Sequence, residues 1–126
     1  MTNYRSIVIK NGNGGYGGPL TINPTGKQHK FMYLTSGGDR PEVVKKIAEL
    51  TGMEAVNGFL NKIQEEEMAM VVIDCGGTLR CGIYPRKGIP TVNLESTGRS
   101  GPFWQCMTED IYVSGVSVDG ISIVEN

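Results

Sequence analysis

MAMVVIDCGGTLRCGIYPRKGIPTVNL, residues 68–94, is the stretch on which the fold turns. Met68 to Asp74 is the strongest strand candidate in the chain, an apolar run that ends on a carboxylate. Cys75-Gly76-Gly77-Thr78 reads as a turn, and Leu79 to Tyr84 as a second strand-like run. Pro85-Arg86-Lys87-Gly88 is a further turn, and Ile89 to Leu94 a third strand. Strands 68–74 and 80–84 are thereby expected to pair as a hairpin that sets Cys75 opposite Arg80.

Working outward, Tyr4 to Lys10 reads as a strand through Ile7, Val8 and Ile9. NGNGGYGGP, residues 11–19, follows with five glycines. A glycine-rich loop cradles phosphate at the mouth of a helix, but here strand-like Leu20-Thr21-Ile22 comes next, so a mobile or hairpin-like loop is the competing reading. Asn23 to Gly26 is a turn, and His29 to Thr35 reads as a buried strand. Helix signals then coincide. Asp39 and Glu42 have capping-box spacing, Pro41 lies in the first turn, Val43, Val44, Ile47 and Leu50 share a face, and Gly52 is a stop. These predict a helix over 40–51 whose apolar stripe packs on a sheet. Val56, Phe59, Leu60 and Ile63 also fit the helical period, suggesting a weaker helix over 54–63, against which Gly58 costs about 1 kcal/mol relative to alanine. Glu65-Glu66-Glu67 reads as a solvated loop face. Ser100 and Pro102 resemble a helix start with Phe103, Trp104, Met107 and Ile111 inward, and Tyr112-Val113 and Val116 to Val124 read as terminal strands. Hairpins mixed with helices, without a linker or repeat, predict a single α+β domain over 1–126. Its sheet would be mixed and largely antiparallel, carrying one or two packed helices.

Composition narrows the function classes. Glycine accounts for 18 of 126 residues, about twice the usual share. The glycines have no three-residue period, which excludes collagen, and 39% hydrophobic content in compact runs argues against a flexible linker. They belong to tight turns or to close backbone approaches. Twelve Lys+Arg against thirteen Asp+Glu give a net charge of −1, so a basic nucleic-acid footprint is absent. Apolar runs are too short to cross a bilayer, and MTNYRSIVIK lacks the pattern of a signal peptide, so direct membrane insertion is not expected and the cytoplasm is the default compartment. The three cysteines, Cys75, Cys81 and Cys106, have no CxxC spacing, which argues against a disulfide framework or a zinc site. With His29 as the single histidine, any mechanism needing two histidines from this chain is excluded.

Reactive groups concentrate in VVIDCGGTLRCG, residues 71–82. In the expected hairpin the Arg80 guanidinium favours the Cys75 thiolate, the nucleophilic form. Gly76 and Gly77 let backbone N–H groups turn toward an anion, and Thr78 adds a hydroxyl donor, so the turn could hold a phosphate on sulfur. Strand alternation points Asp74 to the opposite face, as a structural hydrogen-bonding group. The competing reading is that Cys75 is a buried, inert thiol in an ordinary strand-end turn. Cys81, inside a strand beside Gly82, and Cys106, on the late helix, read as structural. A phosphatase of the cysteine, five residues, arginine type fits poorly. Cys75 to Arg80 and Cys81 to Arg86 each have four intervening residues, and the expected exit from loop to helix is missing. A redox pair of Cys75 and Cys81 has no recognised spacing.

VVIDCGGTLRCGIYPRKGIPTVNL (71–94), GNGGYGGPL (12–20), SGGDRP (36–41), STGRSGP (96–102) and EDIYVSGV (109–116) together resemble the B component of the glucitol/sorbitol-specific enzyme II of the bacterial sugar phosphotransferase system. The resemblance covers roughly residues 5–118 and rests on several long motifs in order. It implies a phosphocysteine carrier at the inner face of the membrane. Such a carrier takes phosphate from a phosphohistidine of the A component and passes it to glucitol/sorbitol bound by the membrane C component. No metal or cofactor is implied. By motif the phosphocysteine is Cys75, and the donor histidine belongs to another protein. Geometry adds Arg80 as charge stabiliser and Gly76, Gly77 and Thr78 as the phosphate cradle. Family members usually continue into membrane-spanning segments, and this chain reaches Asn126 without one, so it alone is not expected to bind or transport sugar. The rival class is a non-enzymatic module that senses sugar status on the same fold.

Overall fold

The computed structural model describes residues 4–12, 14–35, 42–58, 63–74, 79–96, 98 and 103–124, the side chains of 79–81 excepted. Its elements in order are β1 (Ile7–Ile9), β2 (Leu20–Ile22), β3 (Lys30–Leu34), α1 (Glu42–Thr51), β4 (Glu54–Asn57), β5 (Met68–Ile73), α2 (Leu79–Arg86), β6 (Thr91–Asn93), β7 (Tyr112–Val113) and β8 (Ile121–Ile123). They form an α+β fold with two sheets. The larger has the order β4-β3-β5-β6-β7, and the smaller the order β2-β1-β8. The small sheet is antiparallel, as both of its pairings show.

Every pairing in the five-stranded sheet is parallel, which corrects the expectation of a largely antiparallel sheet. The physical reason lies in β5. All six of its residues are buried, so both of its faces are covered, the condition under which parallel sheets occur. Phe31, Tyr33, Met70, Val72, Val92 and Val113 meet Val44 and Ile47 of α1 and the small sheet's Ile7, Ile9, Leu20 and Ile121 on one side. Met32, Leu34, Val71, Ile73, Met107 and Tyr112, with Tyr84 of α2 against them, form the core on the other. Each fully buried side chain of this size contributes about 1.5–3 kcal/mol.

Parallel neighbours need a crossover, and β5 returns to β6 through α2. The hairpin expected between 68–74 and 80–84 is therefore absent, since residues 79–86 are helical. Cys81 accordingly lies in a helix and not in a strand. Gly82 and Pro85 disguise this helix, because glycine and proline are the two poorest helix formers. It ends in a Schellman motif: Ile89 N–H donates to the Tyr84 carbonyl at 3.0 Å and Gly88 N–H to the Pro85 carbonyl at 3.0 Å. Gly88 supplies the positive φ of 79° that this cap requires. The Arg86 guanidinium lies 4.3 Å from the centroid of the Phe103 ring and ties the end of α2 to the following turn.

Two further expectations change. Residues 54–57 are an edge strand on β3 and not the start of a second helix, because parallel pairing from Lys30↔Glu54 to Tyr33↔Asn57 overrides a coincidental period. The late helix contracts to one 3-10 turn, Trp104–Cys106. Met107 is fully buried, but Trp104 is 47% exposed, so that side chain does not face inward. By contrast α1 and its stop at Gly52 follow the sequence expectation, the Gly52 N–H donating to the Ala48 carbonyl at 2.9 Å. Asp39 and Pro41, read as its cap and first turn, lie outside the described residues. Glu65–Glu67 form a 3-10 turn without a buried residue, braced by Glu65–Lys87 and Glu67–Lys30 ion pairs at 2.6 and 3.3 Å.

The glycine-rich segment runs along the outer edge of β7. Gly17 bridges Val113 in antiparallel fashion, and a Cβ added at Gly17 would sit 2.0 Å from the Tyr112 carbonyl oxygen. At Gly15 an added Cβ would meet the Ser114 carbonyl oxygen at 2.0 Å. These glycines let one backbone cover another and so protect the open sheet edge. Gly17→Ala, which adds a β-carbon to that contact at a φ of 82°, is expected to destabilise the fold by about 1–3 kcal/mol. The midpoint of urea denaturation measures it, and an unchanged midpoint would contradict the packing.

Candidate functional site

The chain leaves β3 toward β4 on one side and β5 toward β6 on the other, so strand order reverses between β3 and β5. In open α/β sheets ligands bind beyond the carboxyl ends of the strands at such a switch point. Here the carboxyl end of β5 leads, across residues 75–78, to the first residue of α2. Cys75, Gly76, Gly77 and Thr78, the sequence candidates for nucleophile and cradle, lie outside the described residues. Arg80 is the second residue of α2, and its side chain is outside the described set. The argument that placed Arg80 across a hairpin from Cys75 is overturned, because residue 80 belongs to no strand. What replaces it is a strand, the segment Cys-Gly-Gly-Thr, and a helix. The helical exit judged missing from the sequence is present.

Around this point the carboxyl edge is polar. The five parallel strands end on or run into Asn57 (β4), Thr35 (β3), Asp74 (β5), Asn93 (β6) and Ser114 (β7). Asn93 and Ser114 are fully buried, and Thr35 is only 3% exposed. Buried polar groups cost free energy unless hydrogen-bonded, and these are bonded to chain that continues beyond the strands. Asn93 Nδ2–H donates to Tyr112 Oη at 3.0 Å, while Asn93 Oδ1 accepts the Glu95 N–H at 3.0 Å. Ser114 Oγ accepts the Tyr16 N–H at 2.8 Å and fixes the glycine-rich segment beside β7. Gly115 N–H donates to the Glu95 carbonyl at 2.7 Å, so the segments after β6 and β7 are joined. The sequence reading missed this row, although its signal is present: FMYLT, MAMVVID, TVN and YVS are each an apolar run closed by a polar residue.

The opposite edge differs in chemistry. A cleft of about 480 Å³ lies where β5 and β6 begin, lined among others by Gln28, Glu65, Lys87 and Pro90. It contains no nucleophile, and Lys87 is paired with Glu65. Cys106 is half-buried in the turn after β6 and forms no disulfide.

An open parallel sheet, wound so that α1 and α2 cover opposite faces, with a polar carboxyl edge and a strand–Cys-Gly-Gly-Thr–helix unit at its switch point, defines a protein that holds its ligand on loops beyond the strand ends. Within that class, the chain belongs to the family described as the sorbitol phosphotransferase enzyme II N-terminus, whose model matches residues 6–126. It is 52% identical over 126 residues to the PTS system glucitol/sorbitol-specific EIIB component of Clostridium beijerinckii (strain ATCC 51743 / NCIMB 8052). That alignment covers 100% of this chain and 38% of the relative, so the chain spans little more than a third of the relative's length. No solved structure matches. Among the described residues no helix is long and apolar enough to cross a membrane.

Ser114→Ala removes the hydroxyl that holds the Tyr16 N–H. It is expected to cost about 1–3 kcal/mol, the usual penalty for stranding a buried polar partner. Amide exchange at Tyr16 should quicken with it, and an unchanged exchange rate there would contradict the anchoring role.

Proposed function

We propose that the chain is the phosphocysteine carrier of a glucitol/sorbitol phosphotransferase system, acting as one domain. Cys75 takes a phosphoryl group from a phosphohistidine on the A component and delivers it to the polyol held by the membrane C component, at the cytoplasmic face. The observation that carries this reading is the switch-point strand β5 running into Cys-Gly-Gly-Thr and then α2, in a chain of the sorbitol enzyme II family. The position suits the chemistry. A helix begins four residues after Cys75, and the partial positive charge at a helix N-terminus favours both a thiolate and a bound phosphate. Gly76, Gly77 and Thr78 supply backbone and hydroxyl donors to the phosphoryl oxygens, and Arg80, in the first turn of the helix, supplies the balancing charge.

The step balances as follows. The Cys75 thiolate attacks phosphorus, an S–P bond forms as the donor's N–P bond breaks, and the imidazole leaves neutral. In the second half a polyol hydroxyl attacks the same phosphorus. An O–P bond forms, the S–P bond breaks, the hydroxyl proton passes to a base, and the Cys75 thiolate is restored. Little covalent work falls to the protein, so catalysis rests on positioning and on neutralising charge on the equatorial oxygens.

Incubation with the phosphorylated A component, followed by mapping of the label, tests the assignment. Label is expected on Cys75 and absent from Cys75→Ser; label on Cys81 or Cys106, with Cys75→Ser still accepting phosphate, would contradict it. Arg80→Ala is expected to move the Cys75 alkylation profile about one pH unit higher and to slow transfer. An unchanged profile with an unchanged rate removes Arg80 from the site.

A further inference from the structure

Asn93 is an expensive choice for the last position of a buried central strand, where its neighbours Thr91 and Val92 and its row partner Ile73 are all fully buried. Every polar group of this residue that can be followed is bonded to chain leaving the carboxyl edge. Nδ2–H donates to Tyr112 Oη, Oδ1 accepts from Glu95 N–H, and the main-chain carbonyl accepts from Val116 N–H at 3.3 Å. Tyr112 is itself fully buried, and its phenol provides the only printed link between the Asn93 side chain and β7. The next residue, Leu94, donates its N–H to the Ile73 carbonyl at 2.8 Å. Asn93 therefore clamps the turn 93–95 to two strands at once, and Ile73 precedes Cys75 by two residues, a span of about 7 Å at most.

We propose that Asn93, held by Tyr112, is a positioning residue for Cys75: it fixes the backbone that flanks the switch-point loop and so sets the seat of the reacting sulfur. This rests on the phosphocysteine reading above. A buried asparagine bonded in three directions specifies one arrangement of its neighbours, where an apolar residue would leave the turn free to shift. Groups that support a reacting centre from one layer out commonly govern its rate, and a misplacement of an ångström costs catalysis heavily.

The test is alkylation of the intact chain with iodoacetamide across pH, with each cysteine followed by mass spectrometry and Cys106 serving as internal reference. Tyr112→Phe removes one oxygen from the network. It is expected to shift the pH profile of Cys75, to leave Cys106 unchanged, and to slow phosphorylation by the A component about ten-fold, the lower end of what losing a supporting partner costs at comparable sites. Asn93→Asp keeps the acceptor for Glu95 N–H but places a carboxylate beneath the loop, and should move the Cys75 profile to higher pH. If both variants fold with unchanged Cys75 profiles and unchanged transfer rates, the positioning role is overturned. A lowered melting temperature without any change at Cys75 means a structural role only and also overturns it. The alkylation readout needs no phosphodonor. A wild-type chain that is never labelled on Cys75 refutes the carrier reading, while the variants' profiles still decide whether Asn93 controls that thiol.

Discussion

Burial of β5 on both faces is the constraint from which the rest of the architecture follows. A strand of six buried residues, Met68 to Ile73, has no solvent side and so must be sandwiched. Its neighbours β3 and β6 run parallel to it, and parallel neighbours are reached only by crossing over a face. The crossover to β6 is α2; α1 and the antiparallel β2-β1-β8 sheet fill the other face. With β3 and β5 at the centre and the chain departing from them in opposite directions, the carboxyl edge between them is where loops part and leave room for a ligand. The core thus dictates the place of the chemistry before any reactive residue is considered.

The polar row at that edge is the second consequence. Loops beyond parallel strands have no ladder partners of their own, so their geometry must be imposed from beneath. Asn93 and Ser114 do this from within the core, one binding the segment after β6 and the other the glycine-rich segment that seals β7. The glycine content of the chain acquires a physical meaning here. Gly15 and Gly17 press backbone against the carbonyls of Ser114 and Tyr112, where no side chain fits. Cover for the sheet edge and support for the loops are the same contact.

Much of this was legible in the residues. The strands at 7–9, 20–22, 30–34, 68–73 and 91–93 and the helix at 42–51 follow from apolar runs, turn residues and a glycine stop. The misreading of 79–86 as a strand has a local cause. Gly82, Pro85 and alternating apolar residues weaken every helical signal, and the deciding information is tertiary, namely that a strand buried on both faces cannot form a hairpin with its immediate successor. The unbroken run MAMVVI carried that information, since a half-exposed hairpin strand would alternate. At 54–57 the period of Val56, Phe59, Leu60 and Ile63 misled because strand pairing with β3 outweighs local propensity. Of the site, Cys75 stood out by composition. The supporting residues Asn93, Tyr112 and Ser114 did not, because their value lies in which strand ends they close and in partners distant in sequence.

Family membership and topology converge on one edge of one sheet. The most direct test of that convergence is the set of backbone amide chemical-shift changes that follow phosphorylation of the isotopically labelled chain by its A component. The account predicts that the largest changes outside residues 75–82 fall at Thr35, Asp74, Leu94 and Ser114, along the carboxyl edge. Changes centred instead on Gln28, Glu65 and Gly88, at the opposite edge, would contradict it.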